Sequence, residues 1–167
     1  GDNSTAMGNQ TTASGENSTA MGFSTTASVN NSTAMGNQTT ASGVASTAMG
    51  NQTTAGGENS TAMGISTTAS GEASTAMGDN TTATGDASTV IGKYNEVDGN
   101  ALFIIGNGVD DSNRSNALTV EDSGNTTING NLTVTEESKF LGDLSGNVTG
   151  NVTGDLTGNV TGNADTS

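Results

Sequence analysis

The sequence predicts an all-β solenoid, a fold in which short strands stack coil upon coil along one axis. A fourteen-residue repeat runs through the first two thirds of the chain, with two glycines seven residues apart in most repeats. Apolar residues make up only 29% of the 167 residues and aromatic residues only 2%, too few for one large compact core. Composition alone leaves disorder open, but a repeating structure fits better because each unit buries some surface against its neighbours.

Residues at the same position in successive repeats form columns, and three columns are nearly invariant. We predict a structural core column, a second apolar column and a column of turn glycines. The first, here called the methionine column, contains Met7, Met21, Met35, Met49, Met63, Met77, Ile91 and Ile105. The second, the alanine column, contains Ala6, Ala20, Ala34, Ala48, Ala62, Ala76, Val90 and Ile104. The glycine column contains Gly8, Gly22, Gly36, Gly50, Gly64, Gly78, Gly92 and Gly106.

Two glycines in each repeat predict two turns, because glycine adopts positive φ without steric cost. The second glycine of the repeat, first seen as Gly15, is replaced once by Val29, and we expect Asn30 or Asn31 to take the left-handed conformation there. A helix is disfavoured because each interior glycine costs it about 1 kcal/mol. Each repeat is therefore predicted to form one coil with two short strands, stacked on the next coil at about 4.8 Å.

Side-chain alternation predicts which faces of the first strand are covered. Thr5 and Met7 face one way, and Ser4 and Ala6 face the other. Since the methionine and alanine columns are both apolar, this strand is covered on both faces. One coil has only one interior, so we predict an oligomer with the first strands at its centre. The alternative is a monomeric solenoid that exposes its small alanines.

The second strand has only one apolar face. Thr11 and Ala13 point one way, and Thr12 and Ser14 point the other, so we predict a half-buried strand on the outside of the oligomer. Its outer face forms a hydroxyl ladder, interrupted at Gly56. The ladder pairs are Thr12/Ser14, Thr26/Ser28, Thr40/Ser42, Thr68/Ser70 and Thr82/Thr84.

The stretch STAMGNQTTASGEN at 4–17 resembles the YadA-like head repeat of trimeric autotransporter adhesins. That pattern is Ser-x-Ala-Ile-Gly, two variable residues, then Ser/Thr-x-Ala-x-Gly. Methionine mostly replaces the aliphatic residue before glycine, and the rows at 88–92 and 102–106 come closer to the pattern. The resemblance covers about residues 1–108, and it implies a left-handed parallel β-roll that trimerises on the bacterial cell surface.

The chain beyond residue 108 loses the register, and we divide it into a β-rich connector at 109–141 and a tetrapeptide-repeat stalk at 142–167. In the connector, Asn129-Gly130 predicts a hairpin turn or a bend between stacked coils. Arg114 is expected to pair with an acid, to cap a junction or to lie solvated. The stalk, with its repeated GNVT, resembles segments of phage tail fibres and large bacterial surface proteins. It predicts a narrow β fibre of three chains or a flexible low-complexity linker.

Composition excludes several functions. The chain has 17 acidic and 3 basic residues, giving a net charge of −14, so we predict no nucleic-acid partner and no binding to anionic membranes. No apolar run is long enough to insert into a membrane. Histidine and cysteine are absent, which removes the usual nucleophile pairs and metal ligands. We predict no enzyme and no cofactor or metal; only the loop carboxylates of Asp98, Asp110 and Asp111 offer Ca²⁺ ligands, without a recognised spacing.

These observations predict a structural or adhesive segment of a trimeric surface fibre. Its partners are two further copies of itself and an unidentified receptor on a host, a surface or another cell. The alternative is the shaft of a phage tail fibre, a spacer for a receptor-binding tip on the virion. A minor alternative is an ice-binding solenoid that uses the hydroxyl ladder. The chain begins within a repeat, and we interpret it as part of a longer protein.

Overall fold

The computed structural model describes residues 1–133, which form an all-β fold without helices. About seven parallel coils of about fourteen residues each build a β-solenoid, as the repeat predicts. No helix in the described residues is long and apolar enough to cross a membrane. The predicted tetrapeptide stalk at 142–167 and the last residues of the predicted connector lie outside the described range.

The strands form two sheets that face each other across the interior of the coils. The first sheet has ten strands: β1 (Thr5–Asn9), β3 (Thr19–Phe23), β5 (Thr33–Asn37), β7 (Thr47–Asn51), β9 (Thr61–Ile65), β11 (Thr75–Asp79), β13 (Thr89–Lys93), β14 (Ala101–Asn107), β15 (Asn116–Glu121) and β16 (Thr126–Ile128). The second sheet has six: β2 (Thr12–Ala13), β4 (Thr26–Ala27), β6 (Thr40–Ala41), β8 (Thr54–Ala55), β10 (Thr68–Ala69) and β12 (Thr82–Ala83).

The register between coils makes each column of the sequence a row of paired residues. Ala20 pairs with Ala34, and Met21 pairs with Met35, in parallel strands fourteen residues apart. The same offset holds as far as β13 and β14, where Gly92 pairs with Gly106. Every coil therefore places each position of the repeat directly over the same position of the coil before it.

The interior of the coil is built from small side chains. From the second coil of the repeat onward the alanines at these positions of both sheets are fully buried, with 0% exposure for Ala20 in β3 and for Ala27 in β4, whereas Ala6 in the first coil is exposed. Ser18 and Thr25 are also buried, and the hydroxyl of Ser18 donates to the carbonyl of Gly15 at 2.7 Å. A coil of fourteen residues with two short strands encloses little volume, so alanine, serine and threonine fill it at the density of a protein interior.

The glycine column lies inside the first strands, where two constraints exclude a side chain. Gly22 has φ 128° and occupies the fourth position of β3. A Cβ on Gly22 would also overlap the carbonyl oxygen of Gly36 in the next coil. Gly106, the last member of the column, has no positive φ but is packed against Asn95.

The turns themselves take their positive φ from other residues. Ser24 has φ 52° in the turn after β3, and Ala45 has φ 54° in the turn after β6. Asn31 has φ 60°, as expected for the repeat with Val29, but every coil has a left-handed residue at this position. Gly15 is not left-handed; a Cβ there would overlap the carbonyl of Val29. Glycine in this repeat therefore provides close approach between coils more than it provides turns.

The second sheet ends at β12, where a side chain replaces the next strand. Asn95 occupies the column of Thr81 and is fully buried. The backbone N–H of Thr82 donates to Asn95 Oδ1 at 2.8 Å, and Asn95 Nδ2 donates to the carbonyl of Thr82 at 3.0 Å. The side-chain amide of Asn95 thus satisfies the edge of β12 as a further strand would, which closes the sheet.

The first sheet continues after the repeat ends, but the chain direction changes. β15 pairs antiparallel with β14, and β16 pairs antiparallel with β15. The hairpin between them turns at 122–125, where Gly124 has φ 86° and Glu121 accepts a hydrogen bond from its N–H at 3.0 Å. Asn129-Gly130, the predicted turn, follows β16 as a bend with φ 150° at Gly130, and the strand expected after it is not formed through residue 133.

Candidate interaction surface

The outer face of the first sheet carries large apolar side chains. In β3, Ala20 points into the coil, so Thr19, Met21 and Phe23 point outward. Met7 on the first strand is 59% exposed, and Phe23 is 45% exposed. The other five methionines are partly buried by the rows above and below them.

This outward apolar row extends past the repeat into the antiparallel strands. Ile91 pairs with Ile105, Ile105 with Leu118, and Leu118 with Ile128, so all four lie on one face of the sheet. We call the whole row the outer apolar stripe. Its ten residues, one on each strand, are Met7, Met21, Met35, Met49, Met63, Met77, Ile91, Ile105, Leu118 and Ile128.

The two predicted apolar columns have different places in a single chain. The alanine column from Ala20 to Ile104 forms the interior together with the alanines of the second sheet, whereas Ala6 at the first strand is exposed. The methionine column lies outside the coil. The exposed alanines of the alternative considered above are wrong, since the column from Ala20 onward is buried and the methionines lie outside it; whether the chain is a monomer is not tested by a single chain. Burial of the methionine column requires a partner chain and stays a prediction.

The outer face of the second sheet is polar, as predicted. Thr26, Thr40, Thr54, Thr68 and Thr82 are paired in register on successive strands. The residues that follow four of these strands, Ser28, Ser42, Ser70 and Thr84, are exposed. The hydroxyl ladder therefore exists, with the expected interruption at Gly56. Within residues 1–133, it is a regular hydroxyl surface without a charged side chain in either of its two columns.

The three aspartates considered for Ca²⁺ lie in two loops, and each is engaged with different partners. The carboxylate of Asp110 accepts hydrogen bonds from the side chain of Asn113 at 2.9 Å and from the backbone N–H of Ser112 at 2.9 Å. These hydrogen bonds, that of Asn113 first, lower the pKa of Asp110. Asp98 accepts the N–H of Asn100. Over residues 1–133, no three acidic side chains are grouped as metal ligands would be.

Arg114 both pairs with an acid and caps a junction, two of the roles that the sequence offers. Its Nη2 donates to Asp111 Oδ1 at 2.6 Å. Its Nη1 donates to the carbonyls of Asn80 at 2.9 Å and Asn95 at 3.2 Å. The guanidinium also lies 5.8 Å from the ring centroid of Tyr94. Arg114 therefore ties the loop before β15 to the last turns of the coil.

A cavity of about 360 Å³ opens beside β15 and β16, beyond the end of the second sheet. Glu96, Asp98 and Glu121 contribute carboxylates to its lining, and no basic side chain lines it. Asn116, 6% exposed, also lines it, and its Nδ2 donates to the carbonyl of Glu96 at 2.9 Å. The cavity marks the place where the first sheet no longer has a second sheet opposite.

Comparison with known proteins agrees with the geometry. A search of curated proteins finds no match. The family model for the YadA head domain repeat (2 copies) matches residues 1–25, 13–39, 30–53, 41–67 and 69–95, together more than half of the chain. This family comprises structural adhesin proteins, not known enzymes, and it implies an adhesin-like function at the bacterial cell surface. The repeats, their register and the match together show that the chain belongs to the YadA head repeat family.

Proposed function

We propose that this chain is a segment of a homotrimeric adhesive fibre on the bacterial surface. Three chains bring the outer faces of their first sheets to a common axis, and their second sheets face the solvent. The observation that carries the proposal is the outer apolar stripe, which runs over all ten strands of the first sheet. A monomeric soluble protein rarely exposes a continuous apolar surface of this kind.

The stripe offers enough apolar surface to hold such an assembly together. Full burial of a methionine, leucine or isoleucine contributes about 1.5–3 kcal/mol. Even at about 1 kcal/mol for each residue that is already partly buried, ten residues contribute about 10 kcal/mol per chain. Three chains contribute about 30 kcal/mol together, which offsets a cost of about 4–15 kcal/mol in lost translational and rotational freedom for each of the two association events.

Charge is distributed in a way that allows three acidic chains to associate. The ten residues of the stripe carry no charge. Glu16, Glu58, Glu72 and Asp86 lie in the turns between the second strands and the next first strands, at one edge of the roll. At about 0.1 M salt, repulsion between exposed carboxylates that lie more than about 10 Å apart is largely screened. The net charge of −14 then keeps the assembled fibre soluble.

The mass of the assembled protein tests the trimer. We expect native mass spectrometry and light scattering to give three chains per particle. Met35→Asp with Met49→Asp places two charges on neighbouring rows of the stripe, so assembly should be lost. Ser28→Asp with Ser42→Asp adds the same charge to neighbouring exposed positions of the second sheet, and this control should remain trimeric. A monomeric parent protein, or a trimeric methionine variant, would contradict the proposal.

Attachment is tested separately from assembly. We expect beads coated with the trimer to adhere to cultured cells or to abiotic surfaces through the sides or tip of the roll. A phage tail-fibre shaft, which the tetrapeptide repeat at 142–167 favours, acts as a spacer and predicts no adhesion by this segment. The full-length protein also distinguishes the two, since a membrane anchor indicates an adhesin and a tail-attachment domain indicates a phage fibre.

The in-register threonines of the second sheet favour one further candidate, an ice-binding surface. Exposed strands also carry threonine simply because it suits a half-buried pleated surface. Ice binding predicts thermal hysteresis at micromolar protein, lowered by Thr40→Asp and Thr54→Asp on the outer face. Hysteresis indistinguishable from that of a buffer control would end this candidate.

A further inference from the structure

We propose that the six methionines of the outer apolar stripe are an oxidation site. A peroxide converts them to methionine sulfoxide in the unassembled chain, and the modified face no longer forms the trimer. The inference rests on the proposed function, since it concerns the face through which the chains associate. The class of reagent is a hydroperoxide, either hydrogen peroxide or an organic one.

The thioethers are accessible in the single chain. Their side chains project from the outer face of the first sheet, and Met7 is 59% exposed. The stripe is the only place where sulfur occurs in this sequence, which has six methionines and no cysteine. Oxidation of sulfur in this protein is therefore confined to one face of one sheet.

The reaction needs no group from the protein. The thioether sulfur attacks the terminal peroxide oxygen, a sulfur–oxygen bond forms and the O–O bond breaks. Water, or an alcohol from an organic peroxide, leaves with the transferred proton. The sulfur is oxidised by two electrons and the peroxide is reduced by two. The product is a polar, chiral sulfoxide in place of a flexible apolar side chain.

The structure explains why this change disables the face. The backbone N–H groups around each methionine are already paired with the neighbouring strands; Thr19, for example, donates to the carbonyl of Ser32 at 2.9 Å. The register that pairs Met35 with Met49 would stack sulfoxides with their dipoles side by side. Apart from the hydroxyls of the outward threonines such as Thr19, sulfoxide oxygens buried between chains would find few donors, and an unsatisfied buried acceptor opposes association.

The modification would affect one end of the stripe and spare the other. Ile91, Ile105, Leu118 and Ile128 contain no sulfur, so their four strands keep an apolar outer face. We therefore expect oxidised chains to retain weak association through this end alone.

The test separates oxidation from unfolding. The full chain is denatured, treated with hydrogen peroxide, freed of oxidant and refolded. Mass spectrometry should show about 96 Da of added oxygen for six sulfoxides, and circular dichroism should keep the β-sheet signal because the interior contains no methionine. Light scattering should show loss of the trimer, with association weakened more than about 100-fold. Treatment with methionine sulfoxide reductases should restore it.

A variant with all six methionines changed to leucine provides the matched control. It should assemble equally well with and without peroxide. If that variant does not fold, rescue of the parent chain by the reductases carries the test alone. A fully oxidised parent that still forms trimers of unchanged melting temperature would overturn the inference. So would loss of the β-sheet signal, since the damage would then lie in the roll itself. An untreated parent that is monomeric contradicts the proposed function instead.

Discussion

The two sheets of the roll come from the same repeat, yet they differ in length and in what they show to the outside. The first sheet has ten strands, most of five residues, and an apolar row on its outer face. The second has six strands of two residues and a hydroxyl ladder on its outer face. Their inner faces are alike, since both contribute fully buried alanines. The difference teaches that the volume of the coil restricts the inner faces to small residues, whereas the outer faces are free of that restriction and differ in polarity.

The largest loss of stability is expected from a substitution in the first sheet, at a glycine where neighbouring coils approach each other closely. Gly50 in β7 has φ 128°, and a Cβ on it would overlap the carbonyl oxygen of Gly64. We expect Gly50→Ala to lower the free energy of unfolding by about 3–5 kcal/mol, from backbone strain together with displacement of the next coil. Thermal unfolding followed by circular dichroism measures it. A melting temperature equal to that of the parent would mean that adjacent coils separate without cost.

The next largest loss of stability is expected from removing the side chain that caps the second sheet. Asn95→Ala deletes the amide that pairs with both backbone groups of Thr82, and it leaves them unsatisfied. We expect a loss of about 1–3 kcal/mol and faster hydrogen exchange at the Thr82 amide. Asn100→Ala is the control, because Asn100 is exposed and only its backbone is hydrogen-bonded among the described residues. Unchanged exchange at Thr82 in Asn95→Ala would show that solvent replaces the cap.

A substitution in the second sheet is expected to have a smaller effect of opposite sign, a gain in stability. Gly56 follows β8 and is the one gap in the hydroxyl ladder. A Cβ added at Gly56 would have the carbonyl oxygen of Ala69 as its nearest atom, at 3.8 Å. Gly56→Ser should stabilise the protein by about 0.4–1 kcal/mol, because it restricts the unfolded chain without strain in the coil. Thermal unfolding beside Gly50→Ala makes the comparison direct. Destabilisation here would mean that both sheets exclude side chains at their glycines.

The smallest effect concerns the loop before β15, where only the first sheet continues. Hydrogen bonds from Asn113 and Ser112 lower the pKa of Asp110 below 3.8 in the folded protein. Its contribution to stability is therefore present above about pH 4 and is lost as pH falls through the lowered pKa. Asp110→Asn should differ most from the parent near neutral pH and least at about pH 2, in thermal unfolding across that range. A difference that grows in acid would contradict the assignment.

Much of the fold could be predicted from the period of the sequence. Fourteen-residue spacing, two strands per coil and parallel stacking follow from the repeated glycines and apolar positions. Alternation also separates the face of Ala20 from that of Met21. It does not say which face is inside; that depends on the volume enclosed by one coil, which alanine fills from Ala20 to Ala76, with Val90 and Ile104 only beyond the end of the second sheet.

The limits of sequence reasoning lie where contacts are distant along the chain. Glycine was expected in turns because it tolerates positive φ, but its missing Cβ matters more, and the atom that would clash belongs to a residue fourteen positions away. Leu118 and Ile128 were not recognised as part of the stripe, because reversal of the strands changes the spacing. The alternation in Leu118-Thr119-Val120 is the signal that could have found Leu118. The turn at Gly124 was missed because Asn129-Gly130 offers a stronger local motif.

The stacking of identical coils has a consequence for how such a head changes over generations. Each coil ends in the same conformation in which it begins, and its upper and lower edges are the same shape. In-frame duplication or deletion of one repeat would therefore lengthen or shorten the roll by about 4.8 Å without creating a new packing problem. The height of the roll would be inherited and would change in fixed steps of one coil. Duplication of an existing repeat would therefore lengthen the roll without any new sequence.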